Sequence, residues 1–162
     1  MHTYLWSELK NNEVADLLLQ MSILSEAAGE ERFKAIAYRR AATTIRNLKQ
    51  DIEDVWKQGK LLDLPNIGEG IAKKIDEYLR TGHSTYLDKM KARVPPAALE
   101  LMKVPGIGPR TAYKLAKEAG IRGIQHLEEE LEAGRLNEVL GEETSKRLLA
   151  ELKKFRIVEN RC

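Results

Sequence analysis

The sequence has 162 residues, 43% of them hydrophobic and 32% charged, a length that suits one ordinary domain or two small ones with a modest core. Twenty-seven Lys and Arg nearly cancel 25 Asp and Glu, leaving +2, so the global basic signal of a nucleic-acid binder is missing and local clustering must carry any such argument. One cysteine, Cys162, and three scattered histidines, His2, His83 and His126, supply neither a disulfide framework nor a zinc cluster. The longest apolar runs, such as Leu17 to Leu19, fall far short of the roughly 20 residues of a membrane-spanning helix, and no signal peptide opens the chain. The expectation is a soluble protein that stays inside the cell, cytoplasmic or nucleoid-associated, with no membrane partner.

Along the chain, apolar residues recur at helical spacing, beginning with Val14, Leu17, Leu18, Met21 and Leu24, and no stretch alternates long enough for a convincing strand. The pattern predicts an all-α fold. Turn signals at Gly29, Gln58-Gly59-Lys60, Pro65 to Gly68, Gly82-His83-Ser84, Pro95-Pro96, Pro105 to Gly108, Gly120, Gly123, Gly134 and Gly141 divide it into helices of roughly 8 to 20 residues. Turn formers concentrate between Gly82 and Pro96, around a short helix from about Tyr86 to Arg93, so we place the division into two small helical units there, residues 1–85 and 86–162. Asp51, Glu53 and Asp54 read as a helix-end charge cluster, because a catalytic magnesium site needs carboxylates on a rigid platform.

An internal repeat is the most informative feature. Leu64-Pro65-Asn66-Ile67-Gly68-Glu69-Gly70-Ile71-Ala72-Lys73-Lys74-Ile75 aligns without a gap on Val104-Pro105-Gly106-Ile107-Gly108-Pro109-Arg110-Thr111-Ala112-Tyr113-Lys114-Leu115, 40 residues later. A weaker third copy, Val139 to Leu149, lacks the proline and the first glycine, and we expect it to pack helices with little contact to DNA. Each strong copy sets a glycine turn directly before an amphipathic helix, where unpaired N–H groups can face an anion such as phosphate. Gly68 and Gly108 would allow close approach or a positive φ. Ile67 and Ile107 would plug the turn into the core, and Asn66, where the second copy has Gly106, tolerates the left-handed region. Lys73, Lys74, Arg110, Lys114 and Lys117 add positive charge. The same turns would also serve as plain helix connectors.

From Arg32 to Lys49 there are six basic residues and no acidic one. Phe33, Ile36, Ala37, Ile45 and Leu48 offer an apolar face. Arg32, Arg39 and Arg46, seven residues apart, would form a basic stripe lined by the small Ala35 and Ala42.

The paired glycine turns resemble the helix-hairpin-helix motif of DNA repair proteins. That resemblance implies DNA contact through Asn66, Gly68 and Gly70 in the first hairpin and Gly106, Gly108, Arg110, Thr111 and Lys114 in the second. It also implies a monovalent cation, sodium or potassium, on the backbone carbonyls of Leu62, Leu64 and Ile67 and of Met102, Val104 and Ile107; no other cofactor is required. Phe33 to Ala42, Leu64 to Gly68, Ile71 to Gly82 and Val104 to Pro109 together resemble the amino-terminal region of family X DNA polymerases, the polymerase beta group, over most of residues 12–155. The resemblance implies recognition of gapped, nicked or duplex DNA in repair, with a polymerase or other repair protein as partner, and no acidic constellation of the polymerase palm occurs here. It also raises a 5′-deoxyribose phosphate lyase, in which Lys74 is the Schiff-base nucleophile, Lys34 and Tyr38 line its pocket, and Arg39 meets the phosphate. Helical spacing agrees for Lys74, which falls at the edge of the face made by Ile71, Ile75, Tyr78 and Leu79 while Lys73 points away. Gly70 and Tyr86 stand where the family has lysines, which thins the phosphate pocket. A third reading is a protein interaction module whose hairpins only pack helices.

Overall fold

A computed structural model of the chain describes residues 2–160, with side chains from residue 8 onward. Every regular element among the described residues is helical. In order these are α1 (His2–Ala27), α2 (Arg32–Arg46), α3 (Ile52–Lys57), a 3-10 turn (Leu61–Asp63), α4 (Glu69–Thr81), α5 (Thr85–Arg93), α6 (Pro96–Leu101), α7 (Pro109–Tyr113), α8 (Ile124–Glu132), α9 (Asn137–Leu140) and α10 (Glu142–Asn160). A π turn, Lys114–Glu118, continues α7. The all-α expectation holds, although lengths spread more widely than the turn spacing suggested, from 26 residues in α1 to 4 in α9.

The chain forms two compact units, one of residues 1–26 and 30–93, the other of residues 94–162 with 27–29. The division thus follows Arg93, beyond the 85/86 boundary expected from turn residues. The reason is apolar: Leu87 of α5 lies in the core of the first unit, and burying such a side chain contributes roughly 2 kcal/mol, more than a Gly-Ser turn can oppose.

In the first unit Val14, Leu18 and Met21 of α1 meet Tyr38, Ala41, Ala42 and Ile45 of α2, with Ile52 and Val55 of α3 and Ile71 and Ile75 of α4 completing the core. The irregular stretch after α2 is held by one side chain. Asn11, buried in α1, donates from Nδ2 to the carbonyls of Leu48 (3.3 Å) and Gln50 (2.8 Å), and its Oδ1 accepts from the Ile52 amide (2.8 Å). Asp51 caps α3 by accepting from the Glu53 amide, so the local acidic cluster does serve a helix end.

The second unit is built around Leu101, Val104, Ile107, Leu115, Leu127, Leu131, Leu148 and Leu152, all buried. Here α10 packs on α8 and α9, and α6 packs on α7. Through α10 the third copy of the repeat supplies Ser145 and Leu148 to this core, and Leu152 follows one turn beyond it.

The two strong copies fold into turns of the same backbone pattern. Ile67 and Ile107 are buried, and their amides donate to the carbonyls of Leu64 (3.4 Å) and Val104 (3.1 Å). The left-handed residue is Asn66 (φ 65°) in one and Gly106 (φ 93°) in the other. Asn66 is the non-glycine residue with positive φ among those described, and its Nδ2 donates to Thr44 Oγ1 at 3.1 Å. Gly68 and Gly108 do not take positive φ, contrary to one of the expectations above: they sit at −89° and −85° in extended backbone, as N-caps of α4 and α7.

A β-branched side chain is strained in the left-handed region by about 1–2 kcal/mol. Asn66→Val should therefore lower the unfolding free energy by about that amount in urea titrations, whereas Asn66→Gly should stay within about 0.5 kcal/mol of the parent.

Candidate nucleic-acid interface

Each hairpin ends where a helix ladder begins. The first intrahelical bond after each turn is the same, Ala72 N–H to Gly68 O and Ala112 N–H to Gly108 O, both 2.9 Å. The amides just before it have no carbonyl one turn back to receive them, and the helix dipole adds partial positive charge there. A Cβ built on Gly68, Gly70 or Gly108 would meet nothing within 4 Å. Since their φ values are ordinary, neither strain nor crowding requires glycine at 68 or 108. What glycine provides is a bare approach to the amides.

Charge around the second turn is unpaired: Arg110 is exposed and makes no ion pair among the described residues, and Lys114 Nζ reaches only the Val139 carbonyl at 3.5 Å. Thr111 is half-buried on the same turn of helix. The third copy differs. Its turn carries Gly141 at φ 86°, but the first turn of α10 is acidic, Glu142 and Glu143, and Lys146 is drawn back to Glu142 at 3.3 Å.

Beside the first hairpin lies a cleft of about 450 Å³, lined by Phe33, Lys34, Tyr38, Arg40, Asn66 and Lys74 among others. It brings together Lys74, Lys34, Tyr38, Asn66, Gly68 and Gly70, all named from sequence. Two helices shape it. Ala35, Ala41, Ala42 and Ile45 bury one side of α2, so Lys34 and Tyr38, four residues apart, share the next. Ile71 and Ile75 bury α4, leaving Lys74 at their margin.

Lys74 is held in an apolar setting. Its Nζ sits 4.8 Å from the ring centre of Tyr86 and 5.7 Å from that of Tyr38, within cation–π range of both. It also donates to the Gly70 carbonyl at 3.4 Å. Burial, and after it the charge of Lys34, lower its pKa from the ordinary 10.5. Burial likewise raises that of the Tyr38 phenol. The two tyrosine rings lie 5.4 Å apart, and the buried Tyr86 hydroxyl has no hydrogen-bond partner among the described residues. Tyr86 therefore supplies an aromatic wall to Lys74. Lys73, by contrast, is exposed and lines a different depression.

The basic helix departs from expectation in three ways. Arg40, not Arg39, lines the cleft; Arg39 turns to Glu26 of α1 at 3.4 Å, and Arg46 to Asp16 at 2.6 Å, so much of the heptad stripe is neutralised. Ala35 and Ala42 do not line a surface stripe but are fully buried, which lets α1 and α2 approach until Ser22 Oγ donates to the Ala35 carbonyl at 2.8 Å. Phe33, assigned to the apolar face, is 64% exposed at the cleft. Small residues pack closer than large ones, and this rotates the buried face of α2 away from Phe33. The Arg39-Arg40 pair carried no local signal of which would be free, because the acids that choose between them lie on another helix.

No helix of the described residues is long and apolar enough to cross a membrane. No group of His, Cys, Asp and Glu among them could hold a metal ion.

Comparison with known proteins matches residues 9–84 to a helix-hairpin-helix domain and residues 98–154 to a SAM-like helix-hairpin-helix tandem. The second match takes in the third copy of the repeat. Over 133 residues, 82% of the chain, it is 29% identical to the DNA polymerase/3′-5′ exonuclease PolX of Bacillus subtilis (strain 168), of which it spans 23%. Over 93 residues, 56% of the chain, it is 33% identical to the Holliday junction branch migration complex subunit RuvA of Acidovorax sp. (strain JS42) and of Acidovorax ebreus (strain TPSY), spanning 49% of each. The chain thus covers about a quarter to a half of these relatives. Two helix-hairpin-helix regions in one all-α chain, with the polymerase relative aligned across most of it, support the resemblance to the amino-terminal helix-hairpin-helix region of family X DNA polymerases.

Proposed function

We propose that the chain binds DNA through the phosphate backbone, without reading sequence, at gaps, nicks or ends in repair or recombination. One observation carries this reading: Gly68 and Gly108 have unstrained backbone and empty surroundings, so glycine there serves an approaching ligand and not the fold. Exposed amides at a helix start and nearby lysine and arginine side chains suit phosphate oxygens. The relatives' names, a polymerase and a Holliday junction subunit, support DNA as the ligand class. A sodium or potassium ion would be held at each hairpin, by the carbonyls of Leu62, Leu64 and Ile67 in the first and of Met102, Val104 and Ile107 in the second. Support comes from the Leu64 and Val104 carbonyls, each of which accepts one turn hydrogen bond and keeps a second lone pair. A polymerase or another repair protein is the expected partner.

A second reading, the lyase, is favoured by the setting of Lys74. Its amine would attack C1′ of a 5′-terminal abasic sugar and lose water to form an imine; β-elimination then breaks the bond to the 3′-phosphate. Arg40 takes the place of Arg39 as the cation facing the cleft. Lys34 and Tyr38 would orient the sugar, while the absence of lysine at Gly70 and Tyr86 predicts weak substrate binding.

Fluorescence anisotropy, on gapped and on intact duplexes separately, should give affinities that do not change with base sequence and fall steeply with salt, with a log–log slope of several units. Gly108→Val should weaken binding about tenfold or more while leaving the circular dichroism spectrum and melting temperature nearly unchanged.

Neutralising Lys146 and Arg147 together should cost much less affinity than neutralising Arg110 and Lys114, because acidic residues open α10. Equal losses in the two double variants would give the third hairpin a DNA-facing role.

Borohydride should trap a covalent adduct with an incised abasic duplex, and Lys74→Ala should remove most of it while Lys73→Ala leaves it nearly intact. Since the Lys74 pKa is lowered, its neutral amine appears at lower pH than that of a free lysine. The trapping rate should therefore rise with pH and level off before 10.5. Absence of any adduct from a protein that still binds gapped DNA would remove the lyase reading alone.

A further inference from the structure

The cations of the cleft are unequally available. Lys34 lines it, yet its Nζ lies 2.8 Å from Oε2 of Glu30, the residue two before α2. The other oxygen of that carboxylate accepts from Arg93 Nη1, at the end of α5. Glu30 is only 14% exposed. Lys34 first and Arg93 second hold its carboxyl below the usual carboxylate range, and Glu30 in turn raises the Lys34 pKa. Glu30 therefore keeps one anion fixed on Lys34 before any ligand arrives.

An incoming terminal phosphate, a dianion near neutral pH, would compete for the same ammonium. The rest of the cleft compensates poorly. Lys74 is already engaged, by the Gly70 carbonyl and by the rings of Tyr38 and Tyr86. Gly70 and Tyr86 bring no charge, which leaves Arg40, exposed and without an ion pair among the described residues. We infer that Glu30 determines the end specificity of this cleft: by occupying Lys34 it weakens the grip on a terminal phosphate, so that 5′-hydroxyl and 5′-phosphate ends are accepted with similar affinity. This rests on the DNA-binding reading and assigns the class of end that reading left open.

The test compares two gapped duplexes that differ only in a 5′-phosphate or 5′-hydroxyl at the downstream end, by fluorescence anisotropy at fixed salt. The wild-type affinities should agree within about twofold. Glu30→Gln frees Lys34 and should raise the preference for 5′-phosphate by about three- to fivefold, the scale of one solvent-screened ion pair. Adding Lys34→Met should abolish that gain. Arg93→Met cuts the same tie to α5 but leaves Glu30 on Lys34, so it should not raise the preference; an effect there equal to that of Glu30→Gln would overturn the inference in favour of helix anchoring. An unchanged ratio in Glu30→Gln, or a strong wild-type preference for phosphate, would also overturn it. Should Glu30→Gln melt below the assay temperature, Glu30→Asp retracts the carboxylate by one methylene and should give a smaller rise. Failure of the wild type to bind either duplex would instead remove the DNA-binding reading itself.

Discussion

Burial of a single isoleucine at the tip of each strong hairpin, Ile67 in one and Ile107 in the other, is the contact on which the geometry of both hairpins depends. Each side chain is worth roughly 2–3 kcal/mol when removed from water, enough to hold a residue before it in the left-handed region. With the tip pinned inward, the chain must leave the turn in extended conformation and enter the next helix facing out. The exposed amides are thus a by-product of core packing. That is why the two copies agree so closely although one uses Asn66 and the other Gly106.

Much of this was legible in the sequence because it is local. The gapless repeat marked both turns, the isoleucines were assignable to the core, and Asn66 could be recognised as a stand-in for glycine because few other residues accept positive φ. Lys74 could be placed at the edge of its helix by counting from Ile71 and Ile75. All-α architecture followed from periodicity alone.

What the sequence left hidden depends on partners distant along the chain. Choosing between Arg39 and Arg40 requires knowing that Glu26 faces one of them. Glu30 pairs with Lys34 only four residues away, but the contact that holds its other carboxylate oxygen comes from Arg93, 63 residues along the chain. Phe33 is apolar yet exposed, because Ala35 and Ala42 win the closest approach to α1 and rotate the helix accordingly. The division between units moved for the same kind of reason: turn residues suggested the edge of a domain, but Leu87 reached back into the first core. Periodicity ranks faces by hydrophobicity. Packing ranks them also by how near two backbones can come.

Asn11 has a consequence of a different kind. The stretch from Asn47 to Asp51 lies between helices, and two of its carbonyls and the following Ile52 amide are satisfied by this one side chain from α1. The connection therefore cannot loosen by itself without stranding buried polar groups. Departure of α1 would strip all three partners at once. Opening in this part of the molecule is accordingly expected to be concerted, with the first helix and a loop some 40 residues away forming one exchange unit in which the Ile52 amide should be protected to the same degree as the helix that holds it.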